Sequence, residues 1–198
     1  MTKTTQSKVY LVSTGGAGTH FLYHCYGNNK LKGNNKNWMQ HQRTPKITDT
    51  DFKVIYLYAH PIDILMSFYR RGFLKGLDAA NNLGGNMAEM EKIMGCDIEG
   101  YANNGANVFM FKTHAMGWID YLKQEKISAL ILKYEAIKDH KLTLDKFIGQ
   151  PAKTFEWKQR NSSWKDLSPE VIEKLEQVHR EDIDFFNTRP LIEKIAYS

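Results

Sequence analysis

Three observations predict an α/β fold, a parallel sheet with helices packed against it. Residues 9–26 read VYLVSTGGAGTHFLYHCY, a β-branched run, a glycine turn and then apolar residues at helical spacing. Residues 52–72 repeat the order, with FKVIYLY followed by a turn at Ala59-His60-Pro61 and a second helical stretch. No hairpin signal separates the two units, so their strands must pair in parallel through a helical crossover.

Each element has its own local justification. In the first unit, Gly15, Gly16 and Gly18 allow a loop whose backbone N–H groups face an anion, and Thr19 opens a helix whose positive end adds to that field. The loop lacks the lysine that a GxxxxGK[ST] phosphate loop places before its hydroxyl residue, which argues against an ordinary ATPase or kinase. Residues 27–50 are rich in Asn and Gly and read as a long functional or variable loop, with Trp38, His41 and Arg43 as its chemically capable side chains. In the second unit, Pro61 suits a first helical position and Asp63 complements the helix dipole. Ser67, Arg70 and Arg71 follow one to two turns on.

Residues 74–107 alternate helical pieces with Asn/Gly breaks and read as a helical cover, with Met87, Met90 and Met94 expected in its packing. The next helix, FMFKTHAMGWIDYLKQ, is expected to bury Met116, Ile119 and Leu122 with Trp118 beside them. Residues 129–134 form a third buried strand, and LTLDKFIG a helix that stops at Gly149. Ser168 and Pro169 start a last helix running to about Phe186, with Ile172, Leu175, Val178 and Ile183 as its buried stripe.

The 198 residues are most simply one domain over 1–198, with the hydrophobic and charged fractions (42% and 25%) of an ordinary globular protein. A net charge of +5 favours anionic ligands, but the cations are dispersed, which argues against a nucleic-acid partner. Cys25 and Cys96 have no CxxC spacing, and neither a signal peptide nor an apolar span is evident. These features predict a reduced, cytoplasmic protein without a membrane partner; they leave the oligomeric state open.

Five segments in this order, the glycine loop, KVIYLYAHPIDILMSFYRR, ILKYEAI, KFIG and NSSWKDLSPEVIEKLEQVHREDIDFF, resemble the sulfotransferases that use 3'-phosphoadenosine 5'-phosphosulfate, PAPS. The resemblance covers about residues 9–186. It implies a P-loop-like parallel sheet flanked by helices, and transfer of a sulfuryl group from PAPS to a hydroxyl or amine of a small-molecule, saccharide or peptide acceptor. By position it implies that Gly15, Gly16, Ala17, Gly18, Thr19 and His20 wrap the 5'-phosphosulfate, and that Ser67 meets the 3'-phosphate.

Two positions depart from the family. Gly16 stands where relatives carry a loop lysine or arginine, and Ala59 where they carry an arginine for the 3'-phosphate. Losing one such cation costs on the order of 10²–10³ in rate. Replacement charge is expected from at least two of His20, His60, Arg43, Arg70, Arg71, Lys158 and Arg160, and a lysine restored at Gly16 is expected to raise donor affinity modestly. The proton acceptor is His41 by chain position or His114 by its Lys112-Thr113-His114 triplet, or neither. Two function classes stay open: a PAPS-dependent transferase, and an inactive relative that keeps the fold as a binding or interaction protein.

Overall fold

The computed structural model describes residues 8–27, 31–32, 41–43, 45, 47, 51–72, 86–157 and 164–197. Five strands form one sheet in the order β2-β1-β3-β4-β5. They are β1 (Lys8–Ser13), β2 (Leu31–Lys32), β3 (Phe52–Tyr58), β4 (Ala129–Lys133) and β5 (Ile192–Ile195). The first four run parallel, and β5 closes the far edge antiparallel to β4. The α/β class expected from the sequence is therefore present.

Strand residues sort between the two faces with period two, as the pleat requires. Val9, Leu11, Ile55, Leu57, Leu130 and Leu132 point into the larger core. That core is closed by α1 (Thr19–Tyr26), α2 (Pro61–Arg70), α3 (Met87–Ile93), α4 (Ile98–Asn104), α6 (Lys141–Ile148) and α7 (Pro169–Val178). Tyr10, Val12, Val54, Tyr56, Tyr58 and Ile131 face the other way, against α5 (Phe111–Gln124) and Phe186 of α8 (Arg180–Thr188). A sheet buried on both faces explains why its strands read as continuous apolar runs rather than alternating ones.

Local signals act where expected. Ser168 Oγ accepts from the Val171 amide at the start of α7, and Gly149 ends α6 in the left-handed region at φ 80°. Other expectations need correction. The tail is two helices, broken where His179 leaves helical geometry (φ −104°, ψ 19°) with its ring bonded into the core; of the expected stripe Leu175 is buried, whereas Ile172, Val178 and Ile183 are only half-buried. On α5 the buried face is Phe111, His114, Ala115, Trp118, Ile119 and Leu122, which leaves Met116 41% exposed. Met90 packs in the core as expected, whereas Met94 is exposed. β2, inside the Asn-rich stretch, and β5 were not expected. A two-residue strand carries no readable period, and IEKI, apolar only at its two ends with a charged pair between, does not alternate.

Candidate functional site

β1 and β3 deliver their carboxyl ends side by side, with Ser13 paired to Leu57 in register. The glycine loop therefore lies against the start of α2, at the strand ends where open α/β sheets bind ligands. The loop's shape comes from three residues in the left-handed region, Gly15, Gly16 and Gly18, at φ 90°, 66° and 89°. Ser13 adds a local tie, its Oγ accepting from the Gly15 amide at 2.9 Å. Gly18 precedes α1 without a side-chain cap, and the first turn of α1 contains no acidic residue. The positive end of that helix is thus not neutralised by its own sequence.

A cleft of about 270 Å³ opens over this loop, lined by Gly16, Gly18, Thr19, His20, Asp63, Ser67, Arg70, Arg71 and Tyr134. Close approach builds its walls. A Cβ on Gly16 would stand 3.2 Å from Ser67 Cβ and 3.3 Å from Ile64 Cα, so the loop rests directly on α2. A Cβ on Gly18 would stand 2.6 Å from the Tyr134 ring, which follows β4. These contacts correct one expectation: lysine at position 16 would meet α2 and a left-handed backbone, so restoring it cannot simply add a cation.

Of the residues expected to handle charge, His20, Arg70 and Arg71 line the cleft with Ser67. Arg71 is oriented by its Nε donating to the Ser67 carbonyl at 3.1 Å and by its guanidinium over the Phe68 ring. Arg43 is directed elsewhere, its Nη2 donating to the Phe109 carbonyl at 3.0 Å. His60 stacks on Trp164, 5.0 Å between ring centres, with its edge toward Phe186, and does not line the cleft. Ala17 is fully buried. Lys158 and Arg160 lie outside the described residues.

The two candidate proton acceptors are placed very differently. His41 stands beside the start of the loop and is not among the residues that line the cleft, its Nδ1 3.0 Å from the Ser13 carbonyl and its Cε1 3.7 Å from where a Gly15 Cβ would be. His114 is 1% exposed, with Nδ1 2.8 Å from the Tyr56 hydroxyl and Nε2 3.2 Å from the His41 carbonyl. Burial, with a smaller contribution from Arg43, pushes its pKa down to about 3. Both of its ring nitrogens are engaged inside the protein, which fits a structural role and not proton exchange with a substrate.

A second buried network ties α8 to α4 and α5. Tyr101 donates to His179 Nε2 at 2.8 Å, His179 Nδ1 donates to Asp182 at 2.9 Å, and Asp182 accepts from the Lys112 amide at 2.7 Å and from Asn107 at 2.8 Å. Asp182 thereby caps α5 from another helix. Burial acts to raise its pKa, yet these hydrogen bonds hold the carboxyl below its usual range.

Sequence reasoning missed Tyr134 as a wall of the cleft and Tyr56 as a partner of His114. Nothing in an aromatic strand residue distinguishes a hydrogen-bonded hydroxyl from one that merely packs. The pairing of His114 with Trp118 was legible in principle, because residues four apart share one helix face. No protein-family model, curated protein or solved structure matches the chain.

Proposed function

We propose that this protein is a PAPS-dependent sulfotransferase whose cationic site has moved from the loop to α2. The observation that supports this best is that the glycine loop, the uncapped start of α1 and the Ser67, Arg70, Arg71 side of α2 line one cleft. Backbone amides, a helix N-terminus and two guanidinium groups suit a ligand with two separated anionic groups. Asp63 is the one lining residue of unfavourable sign for such a ligand.

In this reading the loop amides and Thr19 hold the phosphosulfate, and Ser67, Arg70 and Arg71 take the 3'-phosphate. The donor supplies a sulfuryl group whose bond to the bridging oxygen breaks as a bond from the acceptor oxygen or nitrogen to sulfur forms. His41 accepts the proton the acceptor loses, and the loop donors and His20 stabilise the charge left on the phosphate.

The test is calorimetric titration with adenosine 3',5'-bisphosphate, which needs no knowledge of the acceptor. One-to-one binding that weakens with salt and with Arg70→Ala or Arg71→Ala is expected. Absence of heat and of spectral change at about 1 mM ligand, an affinity weaker than about 4 kcal/mol, would remove the donor assignment. The presence of Asp63 and the lack of a loop cation favour a second reading, an anion-binding relative without catalysis. Bisphosphate binding without loss of sulfate from labelled PAPS, across a panel of hydroxyl and amine acceptors, would select it.

A further inference from the structure

We infer that His114, Tyr56 and Trp118 form a clasp that selects the tautomer of His41, so that the base of the reaction is set by buried residues that never touch substrate. The inference takes from the proposed function only the identity of the proton acceptor. Its evidence is a continuous chain of donors and acceptors whose proton positions are fixed by chemistry.

A carbonyl oxygen can only accept. The 3.0 Å contact between His41 Nδ1 and the Ser13 carbonyl, shorter than the 3.5 Å separation from the Ser13 hydroxyl, therefore assigns the proton to Nδ1, and the neutral His41 ring carries its basic lone pair on Nε2. The same logic assigns His114 in the opposite sense. Its Nε2 donates to the His41 carbonyl at 3.2 Å, so its Nδ1 accepts the Tyr56 hydroxyl at 2.8 Å. One turn along α5, Trp118 Nε1 donates to the Gln42 carbonyl at 2.8 Å. Two consecutive carbonyls of the 41–43 segment are thus gripped by an i, i+4 pair on one helix face, and Arg43 fastens the next residue to the Phe109 carbonyl.

On its β3 and α5 side the clasp is dry. Tyr56, His114 and Trp118 are 0%, 1% and 1% exposed, and each polar group named has a partner. Burial keeps His114 neutral, so it remains a fixed donor on one nitrogen and a fixed acceptor on the other across the physiological range. The rest is geometry: with its backbone held on α5, the His41 ring has one position in which Nδ1 meets the Ser13 carbonyl, and Ser13 is the residue that starts the glycine loop. His114, Tyr56 and Trp118 are positioning residues in this scheme, acting on the reaction only through His41.

The test reads the tautomer directly, by long-range proton–nitrogen NMR of protein labelled with ¹⁵N-histidine, with His41 assigned from the signal lost in His41→Gln. The wild type should show His41 predominantly as the Nδ1–H form and His114 as the Nε2–H form. Trp118→Phe and Tyr56→Phe each delete one hydrogen bond of the clasp and should shift the His41 ratio toward Nε2–H by about fivefold, the effect of one hydrogen bond. Loss of thermal stability with the ratio unchanged in both variants would reduce the clasp to packing and overturn the inference. So would a wild-type His41 in the Nε2–H form, a result that needs no variant to fold. Adenosine bisphosphate titration of the same samples separates the two claims. Failure to bind with a responsive tautomer removes the donor and keeps the clasp, whereas binding with an unresponsive tautomer does the reverse.

Discussion

The two sides of the glycine loop are made of opposite materials. On the cleft side, Gly16, Gly18 and Thr19 lie with the exposed side chains of His20, Arg70 and Arg71, the two arginines carrying their charge at the surface. On the other side, Ser13 and Gly15 meet His41, held by buried residues with every named polar group paired. Solvent-screened surface cations lend themselves to substitution, because one can replace another from a new direction. A buried network does not, because losing one member leaves the rest unsatisfied. Under the proposed reading, cations absent at Gly16 and Ala59 can therefore be supplied by Arg70 and Arg71 instead, because that side of the loop tolerates rearrangement.

The largest expected effect attacks the shared element. Gly18→Val should abolish adenosine bisphosphate binding and lower stability by several kcal/mol, on the order of a severe core substitution. The new side chain would press on Tyr134 and force a left-handed backbone on a β-branched residue. Calorimetry and denaturant titration measure the two parts.

Next comes the buried side. His114→Ala should cost about 2–4 kcal/mol in urea unfolding, since it opens a cavity and strands the Tyr56 hydroxyl and the His41 carbonyl. The pH dependence follows from the same residue. Native His114 resists protonation down to about pH 3, whereas the unfolded chain takes up that proton near the ordinary histidine value of 6.5. The unfolded state therefore binds more protons between those limits, and stability falls as pH falls through that window, by up to about 1.4 kcal/mol per unit; above it the residue contributes no slope. His114→Gln, which keeps a donor and an acceptor but cannot titrate, should remove that part of the slope.

A smaller effect is expected on the cleft side, where Arg70→Ala and Arg71→Ala should each weaken bisphosphate binding by about three- to tenfold at moderate salt, and less at high salt, without changing the unfolding midpoint by more than about 0.5 kcal/mol. If either cost as much as the His114 substitution, the contrast between the two sides would fail. The smallest change is a control away from both. Ser168→Ala, which removes the cap on Val171, should cost about 1 kcal/mol and leave binding untouched.

The same contrast governs what could be read from the sequence. The loop, β1, β3 and the face of α2 are local patterns, and glycine spacing, Pro61 and helical period bring Ser67, Arg70 and Arg71 to one place without knowledge of the rest of the fold. The clasp joins residues 41, 56 and 114, and the Asp182 network joins residues 101, 107, 112, 179 and 182; no period or motif spans such separations. The His179 break illustrates the limit. Ile172, Leu175 and Val178 continue a helical stripe, and no Gly or Pro marks the break at His179, whose ring bonds Tyr101 and Asp182.

The antiparallel strand β5 has a consequence for how the molecule comes to be made. Its residues, 192–195, cover the outer edge of β4, which starts at residue 129. During synthesis at roughly 5–20 residues per second, β4 waits several seconds with that row of N–H and C=O groups open, a template for another nascent chain. Closing the edge also ties sequence positions 60 to 66 apart, a contact that forms late because its loop entropy must be met first. Slow translation or crowded polysomes should therefore favour strand exchange between copies, and a short chaperone hold over β4 would suppress it.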